Sequence, residues 1–444
     1  MQNRKSRLES APCASILMRS ACASLCALVA ACNADAVSIG ADDAALGSEQ
    51  KSECRSDVSA SVVTRNQQDI DALAGCEEIH GDLVIVGSPG LDLRPLRWLR
   101  VVHAQLDVGA DGLVAVESLD GLEALERVSG LTLTNVDVSD LSSLARLTIF
   151  ASDPVNQNPL SDGLIRIDGC DQLRDLTGLA QLTGWSDLSI TNSANLESLH
   201  GLYVGTWTGR VDLSSLPKLR DLKALAPAWR IERLSIRDTG LEALDGLETV
   251  QYLGELDISL NPSLRSLRNL SGVLTLQQMF VSDNAALEQL PQGLLLTGLG
   301  TLVITNNPEL RSVPPYDFNL GKLPDRADGA RDNQDVGFQW IEIAGNAKLS
   351  EIALSTDHVS GQNVSVYDNQ ALTDLDLGGL RSVDTLEIRD NAALRQLAVG
   401  ELARVDDLTV VDNPQLSTGA FDTVQTFTRD MSGNRSGASA APAP

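Results

Sequence analysis

Three kinds of residue in this 444-residue chain have types and spacings that could do chemistry: four histidines, seven cysteines and a recurring column of aspartates. His80, His103, His200 and His358 stand far apart along the chain. None belongs to an HExxH helix or to a triad-like setting, which need a second ligand or base at fixed reach. No phosphate-binding glycine loop is present, and Gly87-Ser88-Pro89-Gly90 is a turn, not a nucleophile elbow. The aspartates Asp283, Asp368, Asp390 and Asp412 each precede an asparagine, and Asp238 occupies the same place earlier. They read as turn residues bonding their own backbone. The competing reading stacks Asp368, Asp390 and Asp412 closely enough to hold Ca²⁺ weakly through oxygen ligands. The expectation is a chain with no catalytic residues, no dedicated metal site and no cofactor beyond weak Ca²⁺.

The cysteines sort by position. Cys13, Cys22 and Cys26 fall in an N-terminal leader; Cys32, Cys54, Cys76 and Cys170 lie beyond it. In an exported chain Cys54 and Cys76 read as a disulfide stapling the first structured turn, closing a short loop worth about 3 kcal/mol. No Cys/His spacing suits zinc.

Residues 1–31 read as a signal peptide, with Met18 an alternative start ahead of Arg19. Ala21 to Ala31 is apolar but too short to span a bilayer. The run ends Val29-Ala30-Ala31-Cys32, which resembles the lipobox of bacterial lipoproteins. That resemblance implies lipidation of Cys32, with ordinary cleavage to a freely secreted chain as the competing outcome. Residues 32–53 read as a flexible tether of Ala, Ser, Gly and Asp, and residues 431–444 as a disordered tail.

Between them, residues 54–430 repeat a unit L-x-[ILV]-x-x-N-x-x-L-x-x-L. Its central aliphatic falls at Ile85, Val108, Leu133, Ile167, Ile190, Leu213, Ile236, Ile258, Val281, Ile304, Ile343, Val366, Ile388 and Val410, mostly 22 or 23 residues apart. Apolar residues two apart place both side chains on one face of a short strand. The Asn at 261, 284, 307, 346, 369, 391 and 413 then bonds the turn that follows, and stacked these amides form an internal ladder that Cys170, in the same place of its own coil, is expected to join. Aromatics make up only 3% of the chain, as suits stacked aliphatic layers. The expected fold is a β-rich solenoid, parallel β-helix or leucine-rich-repeat-like, of about 14 coils of 22–25 residues. Two long intervals, around 150–163 and 314–335, read as loops thrown out from single coils.

Cys76-Glu77-Glu78-Ile79-His80-Gly81-Asp82-Leu83-Val84-Ile85 resembles the start of a receptor L domain, the leucine-rich module of insulin- and EGF-receptor ectodomains. The likeness is specific over 54–145. It implies an extracellular solenoid with a capped end and a Cys54–Cys76 bridge, and it places His80 at a variable, solvent-facing position. It carries over no ligand. The chain also resembles bacterial cell-surface lipoproteins bearing such repeats.

A formal charge of −26 opposes binding to nucleic acid or to an anionic membrane surface. The expected protein is exported, monomeric and lipid-anchored, at the outer membrane, cell surface or periplasm. Its expected role is non-catalytic recognition or adhesion, with an unidentified protein or glycan as partner. Arg166, Arg237, Phe280, Tyr367 and Arg389 stand out on an otherwise small, polar strand face as the expected binding face. A Ca²⁺-dependent polysaccharide-active β-helix enzyme, with Arg389 beside the acidic column, and a purely structural envelope spacer are the alternatives.

Overall fold

A computed structural model describes residues 57–149, 163–318, 338–354 and 359–435. Residues 1–56 with Cys32 and Cys54, His358, and most of both long intervals lie outside the described residues. The described chain is a stack of coils: each contributes one strand to a main parallel sheet, and every described pairing in that sheet is parallel. The pairings form one open ladder from Val62–Thr64 to Gln425–Asp430, and none joins its two ends.

All fourteen repeat aliphatics are 0% exposed. Each is the direct register partner of the next, from Ile85↔Val108 through Leu133↔Ile167 and Ile304↔Ile343 to Ile388↔Val410. The register therefore crosses both long intervals without a slip. A one-residue slip would turn every core aliphatic to solvent, so the pattern holds each strand in place. Two further rungs flank the fourteen, at Val62–Thr64 and Gln425–Asp430.

The sides of the coil away from the main sheet vary along the solenoid. Early coils carry a second small parallel sheet made of Asp57–Val58, Glu78–Ile79, Val101–Val102, Arg127–Val128 and Thr148–Ile149. From Trp207 onward this segment merges into the main strand, giving ten-residue strands such as Trp207–Leu216 and Arg230–Thr239. Short 3-10 turns such as Ser142–Leu144 and Lys223–Leu225 fill the remaining side. The late coils replace them with a four-stranded sheet, Ser312–Val313, Glu351–Ala353, Asp374–Asp376 and Gln396–Ala398. At the N-terminal end a five-residue helix, Gln67–Asp71, capped by the Asn66 side chain, puts Ile70 into the core. Cys76, 1% exposed, is disulfide-bonded.

The asparagine column is a continuous ladder of hydrogen bonds. Oδ1 of Asn284 accepts from both the backbone N–H and the Nδ2 of Asn261, at 3.1 Å each, and the same pair of bonds recurs from coil to coil. Each Nδ2 also donates to the carbonyl two residues earlier and to one in the preceding coil, as Asn346 does to Ala344 and Ile304. All seven expected members are 0% exposed. The ladder runs on to Asn434, inside the stretch expected to be tail.

Cys170 shares the column but not the asparagine ladder, contrary to the sequence expectation. Its thiol donates to Leu133 O and Asp168 O, and its N–H reaches the Ser193 hydroxyl. Leu216 breaks the column before Thr239 starts the amide series through Asn261 Oδ1. Burial pushes this thiol up to about 11, which makes it a structural group.

The aspartates before the ladder also find their reason in the backbone. Asp238, Asp283, Asp368, Asp390 and Asp412 all have φ between 51° and 58°, and Asn135, Asn192 and Asn306 fill the same place with φ of 50–56°. Each coil from Leu133 to Val410 turns through the left-handed region here, and Asp and Asn tolerate it best among residues with a Cβ. Leu260, at φ 59° and 49% exposed, is the misfit. Leu260→Asn should raise stability by about 1 kcal/mol by relieving that strain. A denaturation midpoint equal to or below wild type would show that the leucine carries no penalty.

Candidate functional site

The outer face of the main sheet is built from the residues flanking each core aliphatic, because alternate side chains point away from the core. The structure places the five expected binding residues on this face but does not gather them into one site. Arg166 is exposed between Thr132 and Ser189. Arg237 pairs with Asp257 at 3.2 Å and donates to the Ser259 hydroxyl at 3.1 Å. Phe280, half-buried, lies level with Asp257 on one side and Val303 on the other. Tyr367 and Arg389 are direct register partners. About eight rungs, or roughly 38 Å, separate Arg166 from Tyr367.

Tyr367 and Arg389 form the most organised group of the five. The Arg389 guanidinium sits 4.0 Å over the Tyr367 ring, a cation–π geometry in which the cation meets the negative face of the ring. Glu387 holds the guanidinium at 2.7 Å and Asp390 at 2.9 Å. The Tyr367 hydroxyl donates to Glu342, which also receives the Trp340 indole N–H at 3.1 Å. Burial and then the Glu342 bond push the phenol up to about 12. Burial opposes the charge on Arg389, but its bonds to Asp390 and Glu387 outweigh that and raise it further. Both side chains thus stay in one protonation state and one geometry, as a preorganised contact surface requires.

Charge on the face is uneven. Burial, against the pull of Arg166 and with the push of Asp82, raises Asp107 to about 6, and its Oδ1 is buried without a hydrogen-bond partner. Burial also raises Asp212, which Arg237 and Arg166 lower and Asp257 raises. An acid whose folded pKa lies above its unfolded value adds stability below the unfolded value and loses it as pH rises through the folded one. Asp107 therefore costs the fold stability progressively as pH rises from about 4 to about 6, and in full above that. Asp107→Asn should gain on the order of 2 kcal/mol at pH 7, with the gain vanishing near pH 4. Equal gains at both pH values would rule out ionisation as the cause.

Two groupings were not anticipated from sequence. Along the approach edge of the middle strands, the Arg230 guanidinium lies 4.0 Å over Tyr252 and is held by Glu232 at 2.6 Å. Trp229, next to Arg230 in the chain, is 47% exposed. The sequence signal was the clustering of Trp and Tyr between 185 and 252. The second grouping is Glu78, His80 and His103. These histidines are separate along the chain but stacked in space, with ring centroids 4.4 Å apart and planes 16° from parallel. Their spacing of 23 residues is one coil, which is the signal that could have found them. The late coils also carry an open groove of about 570 Å³ on their four-stranded sheet, lined by Glu351, Asp374, Asp376, Arg395 and Gln396.

Asp368, Asp390 and Asp412 do not come together as a metal-ligating group among the described residues; Glu78, His80 and His103 do. Among the described residues no helix is long and apolar enough to cross a membrane.

Repeated coils, one parallel strand per coil and an internal asparagine ladder define a leucine-rich-repeat-like β-solenoid, an architecture suited to recognition across an extended surface. Two solved structures show what it is similar to. One is a leucine-rich-repeat protein of Leptospira interrogans, at 15% identity over 82% of this chain and 99% of that one, with a TM-score of 0.30. The other is a leucine-rich-repeat protein of Bacteroides ovatus, at 11% identity over 84% of each chain, with a TM-score of 0.22. No protein-family model matches the chain, and no curated protein does.

Proposed function

We propose that this chain is a surface-anchored recognition or adhesion module that binds a protein or a glycan through the outer face of its main sheet. The observation carrying this reading is the Tyr367–Arg389 stack on the outer face of the main sheet, locked by Glu342, Glu387 and Asp390. Aromatic and arginine side chains dominate interface energies when their geometry is set before binding. The Arg230–Tyr252 edge offers a second anchor of the same chemistry. In this reading, residues 1–31 direct export, Cys32 carries a lipid, 32–53 is the tether, and Cys54 bridges Cys76 in an L-domain-type cap. The protein is then a monomer held at the outer membrane, cell surface or periplasm.

Cross-linking on intact cells should capture a specific neighbour. Tyr367→Ala and Arg389→Ala should each weaken its binding by at least tenfold, corresponding to about 1.4 kcal/mol. Unchanged affinity in both variants would place binding elsewhere. Cys32→Ser should abolish labelling by a fatty-acid analogue, and persistent labelling would remove the anchor.

The polysaccharide-active alternative gains no support from this geometry. It needs a base near pH 7, and Arg389 is raised rather than lowered. The acidic column it would use is accounted for by its left-handed turns.

A further inference from the structure

The histidine stack lies on the small second sheet of the first coils, away from the face assigned to binding. Glu78 and His80 are two residues apart, so strand alternation points them to the same side. Glu78–Ile79 pairs in parallel with Val101–Val102, Glu78 level with Val101 and Ile79 with Val102. Continuing that register sets His103 beside His80, one strand spacing away. Ladder bonds pin both backbones: His80 N–H donates to Val58 O and His103 N–H to Ile79 O, each at 2.8 Å. His103 Nε2 lies 3.0 Å from a Glu78 carboxylate oxygen. The neighbouring coils have Ser59 and Ser129 at the corresponding places, so the imidazoles stand side by side in a column of small residues.

We propose that Glu78, His80 and His103 form a binding site for a divalent transition-metal ion of the zinc type. One ligand atom from each residue lies within 4.8 Å of the others. A tetrahedral ion with bonds near 2.1 Å separates its ligands by about 3.4 Å. One pair is already within that distance, and His80, exposed at the surface, is the ligand with room to turn toward them. Two imidazoles and one carboxylate suit Zn²⁺, Ni²⁺ or Cu²⁺ and not Ca²⁺ or Mg²⁺, which take oxygen shells. Three protein ligands on an open surface leave a fourth position for water or for a group from a partner. The backbone of the site is held by the sheet and not by a loop, so little ordering is needed on binding.

The test uses the full chain without a polyhistidine tag, titrated with ZnCl₂ by calorimetry and by the side-chain nitrogen resonances of its histidines. One ion per chain is expected, shifting the His80 and His103 resonances and leaving His200 in place. His80→Asn and His103→Asn should each weaken binding at least tenfold, Glu78→Gln should weaken it measurably, and His200→Asn should not change it. CaCl₂ should give no heat. The wild-type resonances decide the matter even if a variant folds poorly. Binding that leaves His80 and His103 unshifted, or no binding at millimolar Zn²⁺, overturns the site.

Discussion

Asn346→Leu is expected to lower the stability of the solenoid by about 3–5 kcal/mol, although leucine is the commonest core residue here and similar in size. Asn346 is 0% exposed, as are its ladder neighbours Asn307 and Asn369. Its Oδ1 accepts the backbone N–H of Asn307 at 2.9 Å and the Asn307 Nδ2 at 3.3 Å. Its own Nδ2 donates to Ile304 O, Ala344 O and Asn369 Oδ1. Leucine supplies none of these, and the Asn307 N–H has no water to turn to. A buried donor left without an acceptor costs about 1–3 kcal/mol, and several groups lose a partner at once. Because each coil touches only its neighbours, the damage should be local. Denaturation should show the loss, and hydrogen exchange should quicken in the coils from Ile304 to Asn369 before those near Ile85. A loss below about 1 kcal/mol would mean that packing, not the amide ladder, holds these turns. Cys170→Ser, in the same column but outside the amide series, should stay within about 1 kcal/mol.

Gly246→Ala should cost about 3–4 kcal/mol, far more than the usual price of a methyl group on a surface turn. Gly246 has φ 111°, which residues with a Cβ rarely adopt. A Cβ there would meet Leu222 O at 2.3 Å and Leu222 C at 2.4 Å in the coil before. The close approach is part of the stacking: Asp245 O accepts the Leu222 N–H at 2.8 Å, at the start of the Lys223–Leu225 turn. The Asp-Gly-Leu sequence at this point thus seats one coil on the next. Neither strain nor overlap can relax without moving that contact. A melting curve within a degree or two of wild type would show that the two coils can separate here at little expense.

The main sheet, its register and its core were legible in the chain because their causes are local and repeated. Alternation over three residues chooses the buried face, and a 22–23-residue period brings the same face back in each coil. Ile85 to Val410 read as core from the chain alone because every coil restates the rule. The asparagines were equally legible, since a turn that must be buried needs a side chain that both donates and accepts. Cys170 lies in the expected column but bonds Ser193, Leu133 and Asp168 instead of an amide, because the next coils carry Ser193 and Leu216 before the asparagines begin.

The binding face was less legible. Arg166, Arg237, Phe280, Tyr367 and Arg389 stand out in the sequence by contrast with small neighbours, and contrast says nothing about adjacency. Only lateral pairing shows that Tyr367 meets Arg389 while Arg166 lies apart from both, between Thr132 and Ser189. The same holds for Asp107, whose raised pKa comes from burial beside Asp82 rather than from its neighbours in sequence.

By itself, then, the sequence determined the coil: its length, its buried aliphatics, its amide turn and the stretch over which it repeats. The tertiary structure decided what lies beside what across coils, from the Tyr367–Arg389 stack to the facing rings of His80 and His103. The physical reason is a difference of range. Burial and turn geometry act within one coil and leave a periodic mark on the chain. Side-chain meetings across rungs depend on register between segments a coil or more apart, which hydrogen bonds set only once the sheet has formed.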